Sequence, residues 1–123
     1  MALALLALSI DCGDAGKLAA FWAAALGRPA DPGATPESAA ITPGDSGAPG
    51  PRLLFHQVPE PKTVKNRLHL DLISNTFEAE SQRLVALGAS RLRDVTKGSA
   101  RWTTFADPEG NEFDLIAGPP REG

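Results

Sequence analysis

Leu68-His69-Leu70-Asp71-Leu72, inside the longer run Arg67 to Ile73, alternates apolar and polar side chains at every position. Successive residues of a strand point to opposite faces, so the three leucines share one face and His69 and Asp71 share the other. The leucine face needs an apolar cover, and the next segment supplies it. Thr76 to Leu87 reads as a helix ending at Gly88, because glycine readily takes the backbone conformation that closes helices. Ala89 to Asp94, Arg101 to Ala106 and Glu112 to Ala117 read as three further strands. Asp107-Pro108-Glu109-Gly110-Asn111 joins the last two, with Pro and Gly at places that suit a tight connection.

The first half of the chain repeats this order. Leu3 to Cys12 is a nearly continuous apolar run, the pattern of a strand covered on both faces. Asp14 is the expected N-cap of a helix whose stripe is Leu18, Phe21, Trp22, Ala25 and Leu26, closed by Gly27 and Pro29. From Pro29 to Pro51 the chain turns to Pro, Gly, Asp, Ser and Thr, with a strand expected at Ser38 to Thr42 and a weaker one near Arg28 to Asp31. Arg52 to Val58 is a firmer strand, and Pro59-Glu60-Pro61-Lys62 breaks it, since proline has no N–H for a ladder. Leu26-Gly27 and Leu87-Gly88 close the two helices at equivalent points, so one strand-helix-strands unit is used twice. We expect module one at about 3–58 and module two at about 67–117, in a single domain of 1–120 with a tail at 121–123.

The totals restrict function more than they define it. A chain of 123 residues with 42% hydrophobic and 22% charged residues has the size and balance of one globular domain. A net charge of -3 leaves no basic field for nucleic acid or an anionic membrane, and neither partner is expected. Cys12 is the only cysteine, which excludes an intramolecular disulfide and a four-cysteine zinc site and fits a reducing compartment. The opening run to Leu8 lacks a basic lead and is shorter than the roughly 20 residues of a membrane span, so a cytoplasmic protein is expected. Gly44, Gly47 and Gly50 are not followed by the Lys-Ser or Lys-Thr of a phosphate loop, and no Gly-x-Ser-x-Gly elbow occurs.

With Phe21-Trp22 in the first helix, Leu-Gly at both helix ends and Asp107 to Phe113 before the last strand, the chain resembles the vicinal oxygen chelate superfamily of glyoxalases, bleomycin resistance proteins and dioxygenases. Val58 to Leu72 is similar to the linker and strand of its glyoxalase-like domain proteins. The resemblance implies an α+β fold of two tandem βαβββ modules, with curved mixed sheets around a cavity and helices packed outside. It also implies a small-molecule ligand and a homodimer. In metal-dependent members each module offers one ligand from its first strand and one from its last. Carried onto this chain, those positions fall in module two on His69 and Asp114, the latter a carboxylate one methylene shorter than the family's Glu. In module one they fall on Ala7, or Leu8 if the register slips by one, and near Phe55, with His56 and Gln57 adjacent. The metal site is therefore expected to be incomplete.

Periodicity also places the candidate ligands. Phe113 and Leu115 separate from Asp114 as the leucines separate from His69, so both groups are expected on the face turned from the helices. An imidazole with a carboxylate suits Zn²⁺, Ni²⁺, Mn²⁺ or Fe²⁺, yet a catalytic site usually needs three protein ligands. His56 could be the third if it faces inward, which alternation leaves open because Leu54 and Val58 share its face. His69 can instead be a histidine bonded to Asp71 or Asp114, or an acid and base, and Asp114 can pair with Arg101 or Arg67. Around His69 and Asp114 as catalytic and metal-binding candidates, the expected pocket residues are Phe55, His56, Asp71, Arg101 and Trp102, with the face of Trp102 open. Lys62, Lys65 and Arg67 read as solvated charges. Three functions remain: a metal-free binder of a small molecule, a divalent-metal lyase, isomerase or dioxygenase, and a bleomycin-type sequestering protein.

Overall fold

A computed structural model describes residues 2–43 and 51–119. The Gly44, Gly47 and Gly50 loop and the 121–123 tail lie outside the described residues. The chain divides into two compact units between Pro61 and Lys62.

In the first unit, β1 (Ala7–Cys12), α1 (Ala15–Leu26), β2 (Ser38–Ile41) and β3 (Arg52–Gln57) form a mixed sheet in the order β1-β3-β2 with a helix on one face. Strand β1 runs parallel to β3 and β2 antiparallel to it. The Asp14 side chain caps α1 by accepting the Lys17 N–H at 3.0 Å, and Gly27 closes it at φ 66°, a conformation that glycine adopts without a Cβ clash. Leu18, Phe21 and Trp22 are buried, as are Ala39, Ile41, Leu53 and Phe55 of the sheet. The segment near Arg28 to Asp31 is not a strand, although the Asp31 N–H donates one bond to the Ala40 carbonyl at 2.8 Å.

In the second unit, β4 (Leu70–Ser74), α2 (Phe77–Leu87), β5 (Ser90–Lys97), β6 (Ala100–Ala106) and β7 (Glu112–Ala117) form a mixed sheet in the order β4-β7-β6-β5. Here β4 is parallel to β7, and the remaining neighbours are antiparallel. Phe105 and Phe113 stack at 5.5 Å with 15° between their planes and are fully buried with Leu115. Each buried phenylalanine contributes about 1.5–3 kcal/mol. The β6–β7 connection is organised by Asp107, 4% exposed, whose carboxylate accepts the N–H groups of Glu109 at 2.9 Å and Asn111 at 3.0 Å. The second unit is thus βαβββ, and the first is its counterpart without, among the described residues, the strand expected near Arg28 to Asp31; each has a mixed sheet and one helix. Among the described residues no helix is long and apolar enough to cross a membrane.

Two strand boundaries differ from expectation for the same reason. Strand β1 begins at Ala7, not Leu3, because its partner β3 begins at Arg52, opposite Ala7. Leu3, Leu5 and Leu6 are 95%, 72% and 73% exposed instead of being covered on both faces. Likewise β4 begins at Leu70 opposite Phe113. The Glu112 N–H next along β7 donates instead to the Asn66 side chain at 2.9 Å, leaving His69 one residue before the strand.

Candidate functional site

The site is the face of the second sheet turned away from α2. Leu70 and Leu72 stand opposite Phe113 and Leu115 in the β4–β7 ladder, and this row packs toward the helix. Asp71 and Asp114 are direct partners in the same ladder and therefore share the other face. His69, two residues before Asp71, joins them. Its Nδ1 lies 3.2 Å from Asp71 Oδ1 and 3.7 Å from Asp114 Oδ2. The three groups present ligating atoms within 4.8 Å of one another.

Asp114 is held from behind. Thr104, its ladder partner on β6, donates its hydroxyl to Asp114 Oδ1 at 2.6 Å. That leaves Oδ2 as the oxygen aimed toward His69. The Asp114 side chain is 19% exposed against 45% for His69 and 55% for Asp71, so the donors run from a sheltered carboxylate to an open rim.

Next to them lies a recess of about 240 Å³. Trp102 and Val95, partners across β5 and β6, give it an apolar wall, while Thr104 and two of the donors, His69 and Asp114, also line it. Lys65, Arg93 and Glu112 complete it. Lys65 Nζ meets Glu112 Oε1 at 2.9 Å, and Arg93 Nη2 stands 3.6 Å from Glu112 Oε2. The Lys65 hydrogen bond and the positive charges of Lys65, Arg93 and Lys62 hold the Glu112 carboxyl below its ordinary range.

The sequence candidates therefore separate. His69, Asp71, Asp114 and Trp102 come together. Arg101 does not join them: it projects to the helix side, 3.0 Å from Glu78 and with its guanidinium carbon 4.4 Å from the Phe77 ring centre. Asp114 consequently pairs with Thr104 and His69 rather than with Arg101. Phe55 is fully buried in the first unit's core and cannot line an open pocket. His56 is exposed on the face of the first sheet turned from α1, opposite Asp11 in the β1–β3 ladder.

The ladders also settle which first-module residues correspond to the donors. Counting back from the helix caps Asp14 and Thr76 equates Ala7 with His69 and Ser9 with Asp71. Ser9 pairs with Leu54 as Asp71 pairs with Asp114. The first-module counterpart of Asp114 is thus Leu54, not Phe55, and His56 corresponds to Ile116. Buried Leu53 and Phe55 then match buried Phe113 and Leu115, as they should.

Sequence reasoning missed Thr104, Val95, Arg93 and Glu112, and it read Lys65 as solvated. Only the alternation of Trp102 with Thr104 along β6 carried a signal for any of them.

The donor set fits a divalent cation. Metal–ligand bonds of about 2.1 Å meeting at 90–109° place neighbouring donor atoms about 3.0–3.4 Å apart, close to the 3.2 and 3.7 Å separations found here. One imidazole with two carboxylates is a mixed nitrogen and oxygen set, suited to Mn²⁺, Fe²⁺ or Zn²⁺.

Comparison with known proteins is consistent in fold. The sequence profile described as "Glyoxalase-like domain" matches residues 7–116. No curated protein matches the chain in sequence. Among solved structures, the fosfomycin resistance protein FosX of Listeria monocytogenes, in a mutant form complexed with Mn(II) and 1S,2S-dihydroxypropylphosphonic acid, superposes with a TM-score of 0.73 at 15% identity, covering 96% of this chain and 91% of its own. A glyoxalase-related enzyme from Fulvimarina pelagi gives 0.70 at 18% identity, covering 96% and 89%. A glyoxalase/bleomycin resistance protein/dioxygenase family enzyme from Burkholderia phytofirmans gives 0.71 at 17%, covering 94% and 98%. At these identities the likeness is one of fold.

Proposed function

The chain belongs to the glyoxalase-like domain family, and on that premise we propose that its second module holds a divalent cation at His69, Asp71 and Asp114 and binds a small polar molecule in the adjoining recess. The observation that carries this reading is the convergence of three ligating groups within 4.8 Å on the open face of one sheet. When bound, the cation supplies Lewis-acid polarisation of a ligand oxygen, the chemistry of a lyase, isomerase or dioxygenase. The chain's own residues do the rest. Thr104 fixes the rotamer of Asp114, so that one oxygen faces the ion position. Trp102 and Val95 exclude water from one side of the ligand.

Calorimetric titration of Mn²⁺ and Zn²⁺ into chelator-stripped protein without a His-tag tests the proposal. We expect one ion per chain, loss of uptake in His69→Ala and at least about tenfold weaker uptake in Asp71→Asn. Absence of uptake by the unaltered protein, or uptake indifferent to both substitutions, refutes it.

A second reading, metal-free binding with His69 as a proton carrier, is favoured by the approach of Nδ1 to Asp71 at 3.2 Å. Metal-independent turnover abolished by His69→Ala selects this reading. In either case we take the chain to act in the cytoplasm as a homodimer, with exposed Leu3, Leu5 and Leu6 as apolar surface for pairing. A monomeric mass by light scattering at micromolar concentration removes the dimer.

A further inference from the structure

Arg91 and Arg93 are two residues apart on β5 and in a regular strand would share a face. They do not, because the β5–β6 register shifts between them: Arg91 stands opposite Phe105 and Arg93 opposite the next residue along, Thr104. Leu92 is the extra residue of a bulge, a device that re-aims a side chain. As a result Arg91 turns to the helix side, 3.6 Å from Glu78, while Arg93 enters the recess beside Thr104.

Arg93 meets a second cation there. Lys65 comes from the segment before β4, and its place is fixed by the neighbouring Asn66. The Asn66 side chain accepts the Glu112 N–H at 2.9 Å and donates to Asn111 Oδ1 at 3.3 Å. Two cations from different parts of the unit thus share one carboxylate, Glu112, each taking a different oxygen. The corner keeps one surplus positive charge. Its members are unequally held: the Glu112 side chain is 17% exposed, against 68% for Lys65 and 53% for Arg93. The acid is the sheltered member, and both cations are more than half exposed.

We propose that Lys65 and Arg93 form an anion-binding corner of the recess that receives the carboxylate or phosphonate head of a small organic ligand, with Glu112 occupying both cations until the ligand arrives. The apolar wall of Trp102 and Val95 takes the body of that ligand, which favours an organic anion over a bare inorganic one. The proposal rests on the reading of this recess as the ligand site and supplies the chemical class of the ligand. It does not require the cation.

Benzoate and phenylphosphonate, titrated separately into chelator-stripped protein with calorimetry as readout, test it, with benzylamine as the oppositely charged control. At least one of the two anions binds with a Kd on the order of millimolar, and their ratio identifies the preferred head. Lys65→Ala and Arg93→Ala each weaken that binding about fivefold or more. Glu112→Gln, which keeps the backbone bond to Asn66 and releases both cations, tightens it about fivefold. The anion and the cation are titrated separately into the unaltered protein, so failure of the cation reading and failure of the anion corner are seen separately. The proposal is overturned if neither anion binds, if benzylamine binds as well as benzoate, if Arg93→Ala is without effect, or if Glu112→Gln fails to tighten binding.

Discussion

Replacing Thr104 with valine removes one hydroxyl and almost no volume, so it isolates the bond that holds Asp114. A net hydrogen bond to a charged group contributes about 1.5–3 kcal/mol. Thr104 is 5% exposed and the Asp114 side chain 19%, so water reaches the orphaned oxygen only in part and recovers about half of the loss at most, leaving about 1–2 kcal/mol. For a chain of this size that lowers Tm by about 3–8 °C. Urea unfolding followed through Trp102, in a Trp22→Phe background so that only the second unit reports, measures the free-energy change. The same substitution frees Asp114 to rotate away from His69 and weakens Mn²⁺ or Zn²⁺ uptake about tenfold. A change in stability below about 0.3 kcal/mol together with unaltered cation affinity refutes the assignment of Thr104 as the group that positions Asp114.

The Ser81 hydroxyl is fully buried without a partner, so Ser81→Ala removes an unsatisfied polar group from the helix face and raises stability by about 1 kcal/mol in urea unfolding. Asp107→Ala leaves the N–H groups of Glu109 and Asn111 without their acceptor and lowers stability by about 2 kcal/mol or more, with faster amide exchange at those two residues. Glu112 titrates below its ordinary 4.5 in the folded chain. Its contribution is therefore complete above pH 4.5 and disappears as pH falls through the lower folded value. Tm measured against pH shows Glu112→Gln below the unaltered protein near neutrality, with the two curves converging in acid.

What the sequence reveals of this fold is what local pattern controls. Leu70 and Leu72 with the Phe113/Leu115 pair assign the helix side of β4 and β7, so His69, Asp71 and Asp114 fall on the open face without any knowledge of contacts, whereas Leu68, of the same alternation, precedes β4 and is 71% exposed. The caps Asp14, Gly27 and Gly88 bound the helices because their chemistry is local. Features that depend on pairing are not legible in this way. The Leu3 to Leu6 run is apolar enough for a covered strand, but whether it becomes one depends on where β3 begins. The bulge at Leu92 has no Gly or Pro to announce it, and it decides that Arg93 rather than Arg91 reaches the recess. Lys65 meets Glu112 across 47 residues of chain. Because Leu53, Leu54 and Phe55 are all apolar, the sequence places the first-module counterpart of Asp114 only as near Phe55. A count from the helix caps through the ladder removes that ambiguity.

The two modules differ on one face and agree on the other, and the difference bears on the chemistry of the donors. Burial keeps Leu53 and Phe55 apolar as it keeps Phe113 and Leu115, since both rows meet a helix. The opposite face answers to no such demand, and it carries Ala7, Ser9 and Leu54 in one module but His69, Asp71 and Asp114 in the other. A donor set confined to one sheet has short reach by construction. Asp71 and Asp114 sit on neighbouring strands about 4.8 Å apart, with His69 two residues before Asp71, at the entry to the first of them. Aspartate places its oxygens just above its own strand, where all three groups meet, while glutamate carries them farther out and away from Thr104. Restoring the longer carboxylate with Asp114→Glu should therefore weaken Mn²⁺ or Zn²⁺ uptake, by about tenfold on loss of the positioning bond, although it adds no charge and removes no ligand. The calorimetric titration used for His69→Ala reads this directly. Tighter uptake in Asp114→Glu would mean that the ion sits farther from the sheet than these three donors allow, and Asp71 would then lose its place as the third ligand.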